Sequence, residues 1–295
     1  MPIDVAAALS AAPTVQTVQW TERDVLLYHL SIGAGSDPLD AAAQRWIYER
    51  DLQVFPTFAV VAGKGVSTAR TPRTATLPGI DVPPSQLLHA GQQLIVHRSL
   101  DRKGPAVVTS RLTDIRDQGR AAIIEMEAAA CDPAGEPYWT STMSIWAAGA
   151  GGYGGAPPQS APTALPDREP DRMIRRTTRD DQALLYRLNG GMNPMHVDPA
   201  VARQAGFERP TLHGLATYGV TCKALADAML DGDPSSIGSL SVRFADHMLP
   251  GHSLDIAVWV EGAELFFHAT CPERDDATVL THGRMTLRQN CCADI

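Results

Sequence analysis

The chain has 295 residues, and hydrophobic residues make up 44% of it against 20% charged. That length and mixture suit a folded chain with a sizeable core and exclude disorder of the whole. Asp and Glu outnumber Lys and Arg by 33 to 25, so the net charge is −8 and a phosphate-tracking nucleic-acid surface is not expected.

The opening MPIDVAAALSAAPTVQ has no basic stretch ahead of an apolar one, so it does not read as a secretory leader. No run approaches the ~18 apolar residues of a membrane span, so no membrane partner is expected. The five cysteines, Cys131, Cys222, Cys271, Cys291 and Cys292, are odd in number and form no CxxC. They read as free thiols in a reducing, cytoplasmic setting.

The first predicted element is a helix in TERDVLLYHLSIGAG, with Thr21 as N-cap. Pro56-Thr57-Phe58 then opens an apolar stretch, FAVVAG, read as a second helix start. Four alternating runs follow: LIVHRSLDRKG, VVTSRLTDI, AAIIEMEAAACDP and YWTSTMSIW. Such alternation predicts antiparallel strands with one covered face.

A Gly, Ala and Pro-rich stretch, AAGAGGYGGAPPQSAPTALPD, spans 147–167 and reads as a linker. It divides the chain into units at 1–146 and 168–295. Its Gly149-x-Gly151-x-x-Gly154 matches a dinucleotide fingerprint in letters only, because Pro157 and Pro158 stand where a helix should begin.

The second half repeats the first. TTRDDQALLYRLNGG again places Arg-Asp, an apolar pair and Tyr in order, with Thr178 as its N-cap. Pro210-Thr211-Leu212 opens a longer helix whose Leu215, Tyr218, Gly219, Cys222, Ala226 and Met229 form one stripe. Four alternating runs again follow, from LSVRFADHMLPG to VLTHGRMTL. A helix followed by antiparallel strands, twice over, predicts an α+β fold.

The chemistry concentrates in Tyr186-Arg-Leu-Asn-Gly-Gly-Met-Asn-Pro-Met-His196-Val-Asp-Pro199 and in His213-Gly214 beyond it. Asn193-Pro194 forces a turn that presents His196 beside a regular element. Gly214 opens the long helix, where free N–H groups suit an oxyanion. His196 and Asp198 lack a third ligand nearby, so no metal is expected. Tyr186 and Arg187 read as packing and surface residues. His29, His89, His97, His247, His252, His268 and His282 have no supporting constellation.

This segment closely resembles the hydratase 2 motif of the MaoC-like (R)-specific enoyl-CoA hydratases, and the resemblance runs along essentially the whole chain. It implies a double hot-dog fold, with an antiparallel sheet wrapped around a central helix in each unit. It implies hydration of trans-2-enoyl-CoA, or dehydration of (R)-3-hydroxyacyl-CoA, with no cofactor. It further implies that His196 is the acid/base, that Asn193 shapes its turn, and that the Gly214 N–H holds the thioester carbonyl. Arg243 matches a position near the substrate channel and, with Asp198 and His213, is a candidate to bind substrate. Relatives are often dimers, so a homodimer is expected.

The catalytic Asp of that family falls on Gly191, which carries no acid. Asp198, Asp180 and Asp181 are candidates to replace it. Where the family has His-Gly-Glu-Gln, this chain has His89-Ala90-Gly91-Gln92. Two alternatives therefore stand beside the hydratase. One is altered thioester chemistry, as a thioesterase or conjugate-addition cyclase. The other is an impaired acyl-CoA-binding partner of an active paralogue. The acyl chain is expected to run into the first half.

Overall fold

The computed structural model describes residues 2–64, 78–154 and 164–288. Cys291, Cys292 and part of the predicted linker lie outside them. In chain order, the helices are α1 (Val5–Ser10), α2 (Glu22–Ser31), α3 (Gln44–Ile47), α4 (Gln182–Tyr186), α5 (Pro199–Gln204) and α6 (Gly214–Met229). The strands of the first half are β1 (Thr14–Trp20), β2 (Leu87–Val96), β3 (Gly104–Asp117), β4 (Ala121–Cys131) and β5 (Pro137–Ala148). Those of the second are β6 (Arg172–Thr177), β7 (Ile237–Phe244), β8 (Ser253–Glu261), β9 (Glu264–Cys271) and β10 (Ala277–Leu287). No helix among the described residues is long and apolar enough to cross a membrane.

All ten strands form one antiparallel sheet in the order β1-β3-β4-β5-β2-β7-β10-β9-β8-β6. Read outward from the β2–β7 seam, the two halves have the same order. The duplication legible in the sequence is thus a duplication in space. At the seam Leu94 pairs with Leu240, and both are fully buried. Val96 and Val242, two residues on in each half, are buried as well. An offset of 146 positions therefore carries β2 onto β7, and the pseudo-dyad passes through the Leu94–Leu240 pair. The repeated tyrosines meet across it, with the rings of Tyr28 and Tyr186 6.2 Å apart. This is the double hot-dog arrangement.

Helix α6 is the central helix of the second half. Its Tyr218, Gly219, Cys222 and Ala226 are buried, with Leu215 and Met229 against the same core. Gly219 is there for packing. A Cβ at that position would lie 2.6 Å from Ile32 Cγ2 and 2.8 Å from Tyr28 Oη. The chain leaving α2 thus closes directly onto the α6 backbone. Gly219→Val should overpack this contact and destabilise the fold by about 1–3 kcal/mol, read as a lower denaturant midpoint at unchanged slope.

Four sequence expectations need correction. Pro56 opens a helical segment as expected, but it is a five-residue 3₁₀ turn, Pro56–Val60, and not an α-helix. Pro210 does not start α6, which begins at Gly214. The Leu212 N–H donates to Met248 O at 2.7 Å in an isolated bridge, which holds this segment extended first. Thr178 is not an N-cap: its hydroxyl donates to His252 O at 2.9 Å and accepts the Gly251 N–H at 3.1 Å. Finally, residues 147–154 belong to the first half. Ala147 and Ala148 are in β5, and the Asp117 carboxylate accepts N–H groups from Gly119, Gly152 and Gly154 at 2.6–2.9 Å. The glycine-rich turn grips a carboxylate of its own chain.

Thr21 does open α2 as expected, its backbone N–H donating to Asp24 at 2.8 Å. The edge strands β1 and β6 were not legible in the sequence. Both are mostly exposed and so lack a clear apolar alternation.

Candidate active site

His196 ends a 3₁₀ turn, Pro194–His196, whose first N–H groups are capped by Asn193: its Oδ1 accepts Met195 N–H at 3.0 Å. The turn aims the ring at Thr211, whose carbonyl lies 2.9 Å from His196 Nδ1. A carbonyl can only accept, so Nδ1 carries the proton and Nε2 is left with a free lone pair. Burial lowers the His196 pKa, although the Thr211 bond opposes it. The ring is therefore neutral at neutral pH, in the tautomer a general base needs.

His213 lies directly against it, with the two imidazoles stacked at 3.7 Å. His213 Nε2 donates to Gly191 O at 2.8 Å. Burial and the adjacent His196 push the His213 pKa down to about 3. This ring also explains what position 191 can hold. A Cβ on Gly191 would sit 2.8 Å from His213 Cδ2 and 2.9 Å from Nε2. The His213 ring occupies the space a side chain at 191 would need.

Gly214 is the first residue of α6, so its N–H has no partner within the helix. Phe244, from the end of β7, closes on it: a Cβ at 214 would be 3.2 Å from the ring. His89 of β2 packs edge-on against Phe244 at 4.9 Å. His196, Asn193, Gly214, Phe244 and His89 all line one cavity of about 620 Å³. Both halves build it, for Leu87, Leu88, Ala90 and Trp146 also form its wall.

None of the three candidates for substrate binding lines this cavity: His213 is turned to Gly191 O behind His196. Asp198 is exposed and caps α5, accepting Ala200 N–H at 2.8 Å. Arg243 neighbours Phe244 on β7, and strand alternation turns it to the opposite face of the sheet. The proposed replacement acids fare no better. Asp181 is paired with Arg179 at 2.9 Å, and the Asp180 carboxylate lies against Gly251. Neither lines the cavity.

The carboxylate that does line it is Asp246, beside His247. Burial raises the Asp246 pKa, but bonds from the His247 backbone and ring and from Arg274 outweigh it and hold the carboxyl below its usual range. Asp246, His247 and His89 were missed in the sequence. The signal for His89 was its place in the His-Ala-Gly-Gln stretch. Asp246 and His247 follow a strand end without periodic warning.

Among the described residues, one cluster has metal-ligand types in reach: His252, Cys271 and Glu273. It does not line the cavity. Arg209 donates to His252 Nε2 at 2.8 Å, which puts the ring proton on Nδ1, the atom facing Cys271 Sγ at 3.6 Å. The three residues form a hydrogen-bonded chain.

The buried imidazoles make a pH prediction. Burial lowers His29 and His89 from 6.5 to about 4, and His213 to about 3. In the unfolded chain these rings take up protons near 6.5, where the folded rings do not. Stability is therefore complete above 6.5 and is lost as pH falls from there toward 4. Denaturant unfolding at pH 7.5, 6, 5 and 4.5 should show the midpoint falling in that order.

Comparison with known proteins agrees with this geometry. The MaoC like domain matches residues 162–280, and the MFE-2 hydratase 2 N-terminal domain matches residues 18–149. Enoyl-CoA hydratase ChsH3 of Mycobacterium tuberculosis is 43% identical over 281 residues, covering 95% of this chain and 98% of that protein. The peroxisomal enoyl-CoA hydratase 2 of Arabidopsis thaliana is 35% identical, covering 87% of each. The crystal structure of a MaoC-like dehydratase from Phytophthora capsici superposes with a TM-score of 0.88 at 27% identity, over 99% of this chain and 100% of that one. With a neutral histidine and a free helix N–H on one cavity, and relatives matched along nearly its full length, the chain belongs to the MaoC-like hydratase 2 family of enoyl-CoA hydratases.

Proposed function

We propose that this protein adds water to trans-2-enoyl-CoA thioesters to give (R)-3-hydroxyacyl-CoA, or catalyses the reverse dehydration. The observation that carries the reading is the shared cavity of His196 and Gly214. The thioester carbonyl accepts from the Gly214 N–H, at the positive end of α6. A water bound to His196 Nε2 gives that nitrogen a proton as its oxygen attacks the β-carbon. Negative charge moves to the thioester oxygen. The imidazolium then returns the proton to the α-carbon, so the C=C π bond and one O–H bond of water are exchanged for a C–O and a C–H bond. His196 handles the proton both ways, and Asn193 keeps its turn in place.

The acyl chain leaves the reacting carbons along Leu87, Leu88 and Trp146, which are first-half residues. That gives the first half its role as acyl wall. The protein acts as a homodimer in the cytoplasm on this reading. A panel of enoyl-CoAs, short, long and carboxylated, tests it by mass spectrometry. Gain of one water with chiral (R) product is expected, and release of free CoA would point instead to a thioesterase.

One observation favours a second reading. Gly191 supplies no carboxylate, and the His213 ring fills the space beside it. A chain that binds acyl-CoA for an active paralogue would share this geometry, would not turn over alone, and would co-purify with that paralogue.

A further inference from the structure

Both halves line a second cavity, of about 440 Å³, and its position follows from the pseudo-dyad. The offset of 146 that superposes Leu94 on Leu240 also carries Ser99–Arg102 onto Ala245–Met248, and Leu87–His89 onto Asp233–Ser235. The segments 245–248 and 87–89 line the active cavity, and 99–102 and 233–235 line this one. The Pro56 turn stands on its wall as Thr211 and Leu212 do on the other. The second cavity is thus the dyad mate of the first.

Its chemistry has diverged. His196, Asn193 and Gly214 have no counterparts, and Leu52, Val54 and Pro56 stand on that side instead. The His196, Asn193 and Gly214 set of the first cavity is not repeated, so this space lacks the groups proposed for hydration. Trp46, Leu100 and Ile237 complete an apolar wall. Two arginines, Arg102 and Arg288, lie on the lining with two aspartates. The aspartates are occupied: Asp101 accepts from Tyr138 Oη at 2.5 Å, and Asp233 accepts from Ser235 N–H and Oγ at 2.9 Å. The arginines are tied less fully. Arg288 donates to Val96 O at 2.6 Å, and among the described residues it has no carboxylate partner. Arg102 donates to Glu49 O at 3.4 Å and reaches Glu22 at 3.9 Å.

We infer that this dyad-related cavity binds a second amphiphile per chain, an alkyl chain on the apolar wall with its anionic head on Arg102 and Arg288. The assignment of an alkyl ligand rests on the acyl-thioester reading of the active cavity. Two sources share that chemistry, an acyl-CoA and a free fatty carboxylate. Arginine suits either head because it stays charged and offers forked donors.

The test is calorimetric titration of the native chain with decanoyl-CoA, which is saturated and cannot be hydrated, and separately with decanoate. With decanoyl-CoA as the second ligand, it binds at two equivalents. With decanoate as the second ligand, it binds at one equivalent to protein already saturated with decanoyl-CoA. The double variant Arg102→Gln, Arg288→Gln should weaken the second site by about tenfold or more, the loss of a charge-assisted bond, while enoyl-CoA turnover is unchanged. Ser99→Trp, at an exposed position on the rim, should remove the second equivalent without touching either arginine. A single equivalent across both probes, or a second equivalent that survives both variants, overturns the inference. Absence of turnover with two equivalents still bound would count against the hydratase reading alone.

Discussion

His196→Ala should lower kcat/KM for enoyl-CoA hydration by about 10²–10⁴, or about 3–5 kcal/mol in transition-state stabilisation. In the proposed mechanism this position carries the proton-transferring atom, and no other group on the cavity presents a free imidazole nitrogen in the same place. Asp246 is committed to His247 and Arg274. His89 is tied at Nε2 to Gly91 O at 3.0 Å, and burial holds its pKa near 4. The loss should fall mainly on kcat, since the thioester still meets the Gly214 N–H. The pH profile supplies a second readout. Because burial lowers the His196 pKa, the acid limb of the native kcat/KM profile should lie below 6.5. Activity is lost as pH falls through that limb and His196 becomes protonated. Residual activity of the variant should lack the limb. A variant with native turnover would remove His196 from the mechanism.

Leu94→Ala should destabilise the fold by about 2–5 kcal/mol. Leu94 is fully buried, faces its own dyad mate Leu240, and sits on the strand pair that joins the halves. Deleting its side chain opens a cavity where neither half can collapse without shifting the seam. Because one core runs from Trp20 and Phe58 in the first half to Phe267 and Met285 in the second, the variant should still unfold in a single transition, at a lower temperature. Two separated transitions would show that the halves are independent units.

Most of this architecture could be read from the chain because it is written twice. Alternating runs located all eight strands that have a covered face, and the repeated Arg-Asp…Tyr stretches marked α2 and α4 as mates. The edge strands β1 and β6 escaped because exposed strands need not alternate. The helix start at Pro56 proved to be a 3₁₀ turn because Pro-Thr-Phe and an apolar run fit that turn as well as an α-helix. At the site, His196, Asn193 and Gly214 were legible through a motif that fixes local geometry. Asp198 and Arg243, offered for substrate binding by resemblance, lie off the cavity because Asp198 caps α5 and Arg243 takes the opposite face of β7 from Phe244. Asp246 reaches the cavity within the second half, beside the Leu212–Met248 bridge, whereas His89 meets His196 only through the β2–β7 seam. That contact depends on the register of the two halves, which no local pattern encodes.

The central claim is that His196 hydrates the enoyl thioester without a carboxylate at position 191. The most direct measurement is the rate and stereochemistry of trans-2-decenoyl-CoA hydration by the native protein beside its Gly191→Asp variant. The native chain should form (R)-3-hydroxydecanoyl-CoA, and Gly191→Asp should be slower, because its Cβ collides with the His213 ring that stacks on His196. Hydration by Gly191→Asp alone, with the native chain inert, would contradict that claim and leave the native cavity as a binding site.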